Sequence, residues 1–306
     1  MIEPDLSVEL AGLKLKNPVL TASGACGYGQ ELAEFTPPES LGAMVTKGLS
    51  RHPRPGNPPP RLVETPAGLI NAIGLENVGV EAFIRDKLPW LRERGAVVIA
   101  NILGATADEY AAVAERLDRA EGVAMLEINV SCPNVKAGGL AFGANPEATA
   151  EVVRAVVKAT RMPVMVKLSP QTSDITVMAQ AAVQAGAKAI SLINTIPALA
   201  VDLETRRPKL GNIVGGLSGP AIKPVALRLV WQVAQAVDVP VVGLGGIVSW
   251  RDALEFILVG AAAVQVGTAS FINPKAALGI IDGIKAYLKD YNLPSLSEIR
   301  GRLITS

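Results

Sequence analysis

The sequence predicts an α/β protein built as a (β/α)8 TIM barrel, and three observations predict it. Eight short runs rich in Val, Ile or Leu recur along the chain, each ending in polar or Gly residues. Ala-rich amphipathic stretches lie between the runs. The length, 306 residues, suits one barrel of ~250 residues with insertions. An open doubly wound sheet is the alternative arrangement of the same alternation.

Residues 6–10 and 13–16 read as a small N-terminal hairpin preceding the barrel. The strands are residues 18–22, 43–47, 97–102, 125–130, 164–168, 189–194, 241–244 and 263–266. Their apolar runs are nearly continuous, as expected for parallel strands covered on both faces. The helices are residues 30–35, 80–94, 107–120, 146–161, 175–185, 220–237, 250–259 and 274–291. Asn145 before Pro146, and Ser218 shortly before Pro220, are start signals. Three connections exceed short βα loops: residues 50–75, 131–145 and 196–219. Each follows a strand, so each belongs over the C-terminal face, where barrel active sites lie. No boundary interrupts the pattern, so residues 1–306 read as a single domain.

Hydrophobic residues make up 49% and charged residues 19%, which describes a globular chain. The net charge is +1, with no basic stripe, which argues against nucleic acid as a partner. His52 is the only histidine, so a His-rich zinc site is excluded and no metal is expected. Two cysteines, Cys26 and Cys132, do not make a disulfide framework. No apolar run reaches the ~18 residues of a membrane span, and no leader is visible. A soluble, cytoplasmic protein is expected.

The strand ends carry Ser23, Lys47, Asn101, Asn129, Lys167, Asn194 and Thr195. In a barrel these groups converge on one cavity, with Glu127 the one carboxylate near them. Lysines supply positive charge and asparagines supply donors and acceptors, which suits an anionic, amide-rich ligand. Taken singly, any of these residues reads equally well as a group that satisfies a loop. Gly245 and Gly246 follow strand seven, and Gly267 and Thr268 follow strand eight, where barrels place phosphate. Ser218 and Gly219 could add donors.

Cys132 lies in Asn129-Val-Ser-Cys-Pro-Asn-Val-Lys-Ala-Gly-Gly139, whose glycines permit a mobile flap. The local sequence fits a proton acceptor and also a buried, inert thiol. Cys26 reads as a buried thiol, and His52 as a surface residue in a Pro-rich loop.

That segment resembles the flavin loop of class 1 dihydroorotate dehydrogenases. So do Lys47-Gly48, Asn71-Ala-Ile-Gly-Leu75, Val166-Lys-Leu-Ser-Pro170, Ile193-Asn-Thr195, Gly215-Gly-Leu-Ser-Gly-Pro-Ala-Ile-Lys-Pro224, Gly243-Leu-Gly-Gly246 and Val266-Gly-Thr268. The match runs from about residue 5 to residue 275. The Val-Lys-Ala-Gly-Gly loop and the Ser-Gly-Pro-Ala-Ile-Lys-Pro segment resemble the B-type, NAD-linked catalytic subunit. One departure is Pro197-Ala-Leu-Ala200, where a Gly-Met-type sequence is expected; it touches the loop beside the substrate.

The resemblance implies oxidation of dihydroorotate to orotate in pyrimidine biosynthesis, by an FMN-dependent oxidoreductase acting on a CH–CH group. It implies FMN held by Ser23, Lys47, Gly48, Asn101, Asn129, Lys167, Ile193 and Gly219, with phosphate on Gly245, Gly246, Gly267 and Thr268. It implies substrate held by Lys47, Asn71, Ala72, Ile73, Gly74, Leu75, Asn129, Asn134, Asn194 and Thr195. Cys132, Lys47 and Lys167 are the implied catalytic residues. Cys132 takes a proton from C5, hydride passes from C6 to the flavin, and Lys167 stabilises the anionic reduced flavin. An iron–sulfur flavoprotein carrying FAD is the implied electron-transfer partner, in a heterotetramer around a homodimer of this chain. A fumarate-linked A-type enzyme and a related dihydropyrimidine-acting flavin oxidoreductase are the alternatives. A Schiff-base lyase using Lys167 or Lys47, and a non-catalytic ligand-binding barrel, are the readings from other classes.

Overall fold

The computed structural model describes residues 3–130 and 142–305. Eight parallel strands form its central sheet: β1 (Val19–Thr21), β2 (Met44–Val45), β3 (Val98–Ile102), β4 (Val123–Asn129), β5 (Val164–Leu168), β6 (Ala189–Leu192), β7 (Val241–Leu244) and β8 (Ala263–Val266). Their spatial order is β1-β8-β7-β6-β5-β4-β3-β2, so neighbours in sequence are neighbours in space. The ring closes where Leu20 bridges Ala43 in parallel and Gly42 N donates to the Val19 carbonyl at 2.9 Å. This is the expected barrel and not the open sheet.

The barrel interior is graded. Side chains alternate along each strand, so every second residue points inward. Near the strand starts, Leu20, Ala43, Ile99, Met125, Met165, Ala189, Val242 and Ala263 form a buried apolar layer. The hairpin of Val8–Leu10 and Leu13–Leu15 closes that end, and its Leu10 and Leu15 are fully buried in the same cluster. Two residues further along five of the strands the layer turns polar. Asn101, Glu127, Lys167, Ser191 and Gln265 are all 5% exposed or less. Above them lies the C-terminal mouth. A second, larger apolar cluster packs the outer strand faces against the helices.

Helix starts follow the local chemistry. The Asn145 side chain accepts from the backbone N–H groups of Glu147 and Ala148, ahead of the helix Pro146–Ala159. Ser249 and Asp252 form a reciprocal capping box for the helix Trp250–Leu258. Among the described residues, no helix is long and apolar enough to cross a membrane.

Four element expectations need correction. Residues 30–35 hold only the 3-10 turn Gln30–Leu32, because glycines precede it and prolines close it. Residues 80–94 are interrupted: a π-helical turn, Phe83–Lys87, separates Val80–Ala82 from Leu88–Glu93. Pro89 has no N–H to return to the preceding turn, which accounts for a break there. A four-residue helix, Ala269–Ile272, precedes the last long helix, Ala276–Asp290. Most consequentially, residues 50–75 and 196–219 are not plain loops. They pair into a four-stranded antiparallel sheet in the order Ile196–Leu199, Val214–Ser218, Gly68–Asn71, Leu62–Thr65. The departure at Pro197 falls on an edge strand of this sheet, opposite Gly216, where a missing N–H is tolerated.

Candidate active site

The barrel mouth and the antiparallel sheet enclose a cavity of about 870 Å³. Every expected cofactor or substrate residue within the described part of the chain lines it. The barrel contributes Ser23, Lys47, Gly48, Asn101, Asn129, Lys167, Ile193, Asn194, Thr195, Gly245, Gly246, Gly267 and Thr268. The added sheet and its flank contribute Asn71, Ala72, Ile73, Gly74, Leu75 and Gly219. Two expected residues, Cys132 and Asn134, lie outside the described residues, in the segment 131–141.

The two lysines occupy different settings. Lys167, on β5, is buried, and its Nζ donates to Ser23 Oγ at 3.0 Å. Burial pulls its pKa below the ordinary lysine value, while the Glu127 charge opposes that fall. Lys47 stands just past β2, its backbone N–H held by the Gly27 carbonyl at 2.8 Å. Its ammonium forms no ion pair with a described residue.

The amides form a connected set. Asn194 Nδ2 donates to Asn129 Oδ1 at 3.2 Å, and Asn194 Oδ1 accepts from the Thr195 N–H at 2.8 Å. The Tyr110 hydroxyl donates to the Asn129 carbonyl at 2.7 Å, tying the end of β4 to the helix Ala107–Asp118. Asn71 Nδ2 donates to the Gly216 carbonyl at 3.2 Å within the antiparallel sheet. Asn57 holds the segment 71–75 through its contacts to the Ala72 and Ile73 carbonyls, both 2.9 Å.

One end of the cavity is built from bare backbone. Gly246 has φ +78°, and a Cβ there would sit 2.8 Å from the Gly219 carbonyl oxygen and 2.9 Å from Lys223 N. No other residue permits that approach without a shift. Thr268 Oγ1 donates to Ser218 Oγ at 2.8 Å, so the turns after β7 and β8 meet the turn at 218–223. Lys223 is committed elsewhere, to Asp252 at 2.5 Å and Glu255 at 2.8 Å.

His52 is exposed and lies away from the cavity lining. Cys26 is 5% exposed, and burial pushes its thiol up to about 11, as suits an inert group. Several lining residues escaped sequence reasoning. Arg61 and Glu76 form an ion pair at 2.6 Å at the mouth, and only the fold brings them together. Gln265 also lines the cavity; its alternation with Ala263 and Gly267 on the inward face was an available signal.

Comparison with known proteins agrees with this geometry. The chain matches the family described as dihydroorotate dehydrogenase over residues 5–288. It is 58% identical over 303 residues to the dihydroorotate dehydrogenase B (NAD(+)) catalytic subunit of Geobacter sp. (strain M21), covering 99% of each chain. It is 57% identical over 305 residues to the protein of that name from Geotalea uraniireducens (strain Rf4), covering 100% of each. The corresponding protein of Geobacter sulfurreducens is 56% identical over 303 residues, again with 99% of each chain covered. The chain belongs to the dihydroorotate dehydrogenase family.

Proposed function

We propose that this chain oxidises dihydroorotate to orotate, a step of pyrimidine biosynthesis, and passes the electrons to NAD through a second subunit. The observation that carries this reading is the convergence of Lys47, Lys167 and four asparagines (Asn71, Asn101, Asn129 and Asn194) on one cavity. The full-length relatives that bear the name dihydroorotate dehydrogenase B (NAD(+)), catalytic subunit, support it.

The family implies a flavin, and the residues present fit FMN. The cavity lies within the ~300–1,000 Å³ range of cofactor and ligand sites. Gly219, Gly245, Gly246 and Gly267 bring backbone, and Thr268 a hydroxyl, to the end of the cavity lining suited to a phosphate. Asn101 Oδ1 and Gln265 Oε1 are buried acceptors without a partner among the described residues, and both residues line the cavity. Ser23, Gly48, Asn129, Lys167 and Ile193 line the rest. When bound, the flavin accepts the hydride that leaves the substrate.

The chain's own groups do the remainder. Oxidation removes a proton from C5 and a hydride from C6, leaving a C5–C6 double bond. Cys132 takes the C5 proton; no other described or expected lining residue is a thiol or imidazole base. Lys47 meets the substrate carboxylate with an ammonium that no described acid neutralises. Asn71, Asn129, Asn134, Asn194 and Thr195 match the donors and acceptors of the cyclic amide. Lys167 supplies buried positive charge where negative charge accumulates.

The partner in this reading is an iron–sulfur flavoprotein that carries FAD. A homodimer of this chain forms the core of the heterotetramer. Expression with and without that partner, followed by anaerobic turnover of dihydroorotate, tests the assignment. NAD reduction that requires the partner supports it. Efficient fumarate reduction by this chain alone contradicts the NAD-linked form.

A further inference from the structure

Glu127 lies beneath the cavity and does not line it. It is fully buried in the polar layer of the barrel. Asn101 Nδ2 donates to its Oε2 at 2.6 Å. Gln265 Nε2 and Ser191 Oγ donate to its Oε1 at 2.6 and 2.8 Å. Donors from β3, β6 and β8 thus converge on one carboxylate from β4. An ionised carboxylate only accepts hydrogen bonds, and three converging donors suit the ion. Removing Glu127 alone would strand three buried donors, so the carboxylate fixes how its neighbours in the layer are turned.

The consequence falls on the neighbours. Each amide must turn its nitrogen toward Glu127, so its oxygen must point elsewhere. Asn101 Oδ1 and Gln265 Oε1 are buried, and neither has a partner among the described residues. A buried acceptor left unpaired costs about 1–3 kcal/mol. Glu127 imposes two such acceptors on residues that line the cavity. Gly48 packs closely against one of them: a Cβ there would stand 3.1 Å from Asn101 Oδ1 and 2.6 Å from a Leu103 methyl, so a side chain would crowd it.

We propose that Glu127 is a positioning residue that turns the Asn101 and Gln265 carbonyl oxygens away from itself and, with its own charge beneath the cavity floor, lowers the reduction potential of the bound flavin. The proposal rests on the flavin reading above. Outward carbonyl oxygens and a nearby negative charge disfavour an electron-rich ring more than an oxidised one. Lys167, in the same layer, acts in the opposite sense, so the floor carries one charge of each sign.

A purely structural Glu127 would weaken binding of oxidised and reduced flavin alike, leaving the potential unmoved. The test is the midpoint potential of flavin-loaded Glu127→Gln, equilibrated anaerobically with a reference dye. The new amide offers one acceptor and one donor, so Asn101 or Gln265 must turn its carbonyl inward. The reduced-to-oxidised binding ratio is expected to rise at least tenfold, about 30 mV for a two-electron couple. Gln265→Met removes one outward acceptor while keeping Glu127, and it should shift the potential the same way. The double variant should shift by less than the sum, because one residue acts through the other. Unmoved potentials, or fully additive shifts, overturn the proposal. If Glu127→Gln does not fold, an unmoved potential in Gln265→Met overturns it alone. A wild-type protein that takes up no flavin fails the functional reading as well; a loaded protein whose variants keep their potential fails only this proposal.

Discussion

Lys167 Nζ lies 3.0 Å from Ser23 Oγ, joining β5 to the turn after β1 inside the cavity wall. The contact keeps a buried ammonium aimed with a single hydroxyl as its described hydrogen-bond partner. Lys167→Gln removes the charge and is expected to lower kcat/KM by about 10²–10³-fold, the usual cost of a lost transition-state donor. Ser23→Ala removes one hydrogen bond to a charged group, about 1.5–3 kcal/mol, so its effect should be smaller. Steady-state kinetics on both variants, with flavin content matched, checks the order.

Lys47 carries the selectivity prediction. If its ammonium meets the substrate carboxylate, Lys47→Met should lose dihydroorotate turnover but little of any turnover of dihydrouracil, which lacks the carboxylate. The ratio of the two kcat/KM values should fall by at least tenfold. An unchanged ratio would remove Lys47 from that role.

Gly246→Ala tests the bare-backbone end of the cavity. Its Cβ would meet the Gly219 carbonyl at 2.8 Å, at a φ of +78°. Strain and crowding should cost more than about 1 kcal/mol of stability. Flavin retention after gel filtration should fall by at least tenfold, with the circular dichroism spectrum of the barrel preserved.

Cys26 gives a pH signature. Its thiol is pushed up from 9.0 to about 11 by burial. The folded state therefore keeps a proton that the unfolded chain releases, and stability falls as the pH rises from 9 toward 11. Two pKa units correspond to about 3 kcal/mol at most. Denaturant unfolding across that range should show a steeper decline for the wild type than for Cys26→Ala. Iodoacetamide at pH 8 should leave Cys26 unmodified in the folded protein.

Much of the barrel is legible in sequence because each strand is an apolar run and each connection is local. The hairpin is legible too, and Leu10→Ala or Leu15→Ala should cost about 2–5 kcal/mol through the cavity left in the plug. The antiparallel sheet is not legible. Its strands are short, half-exposed and rich in Gly, and Asn71 meets Gly216 across 145 residues of chain. Glu127 stands out by composition as the one carboxylate near the strand ends. Its meaning depends on Asn101, Ser191 and Gln265, which only barrel closure brings to it.

Delivery of hydride from dihydroorotate to a flavin held in this cavity is the step on which the proposed function turns. Anaerobic titration of the purified, flavin-loaded chain with dihydroorotate tests it most directly, read as loss of the yellow flavin absorbance. Stoichiometric bleaching is expected in the wild type, and bleaching at least tenfold slower at equal concentrations in Lys47→Met. Flavin that stays oxidised in the wild type, or a chain that cannot be loaded with FMN, would contradict it.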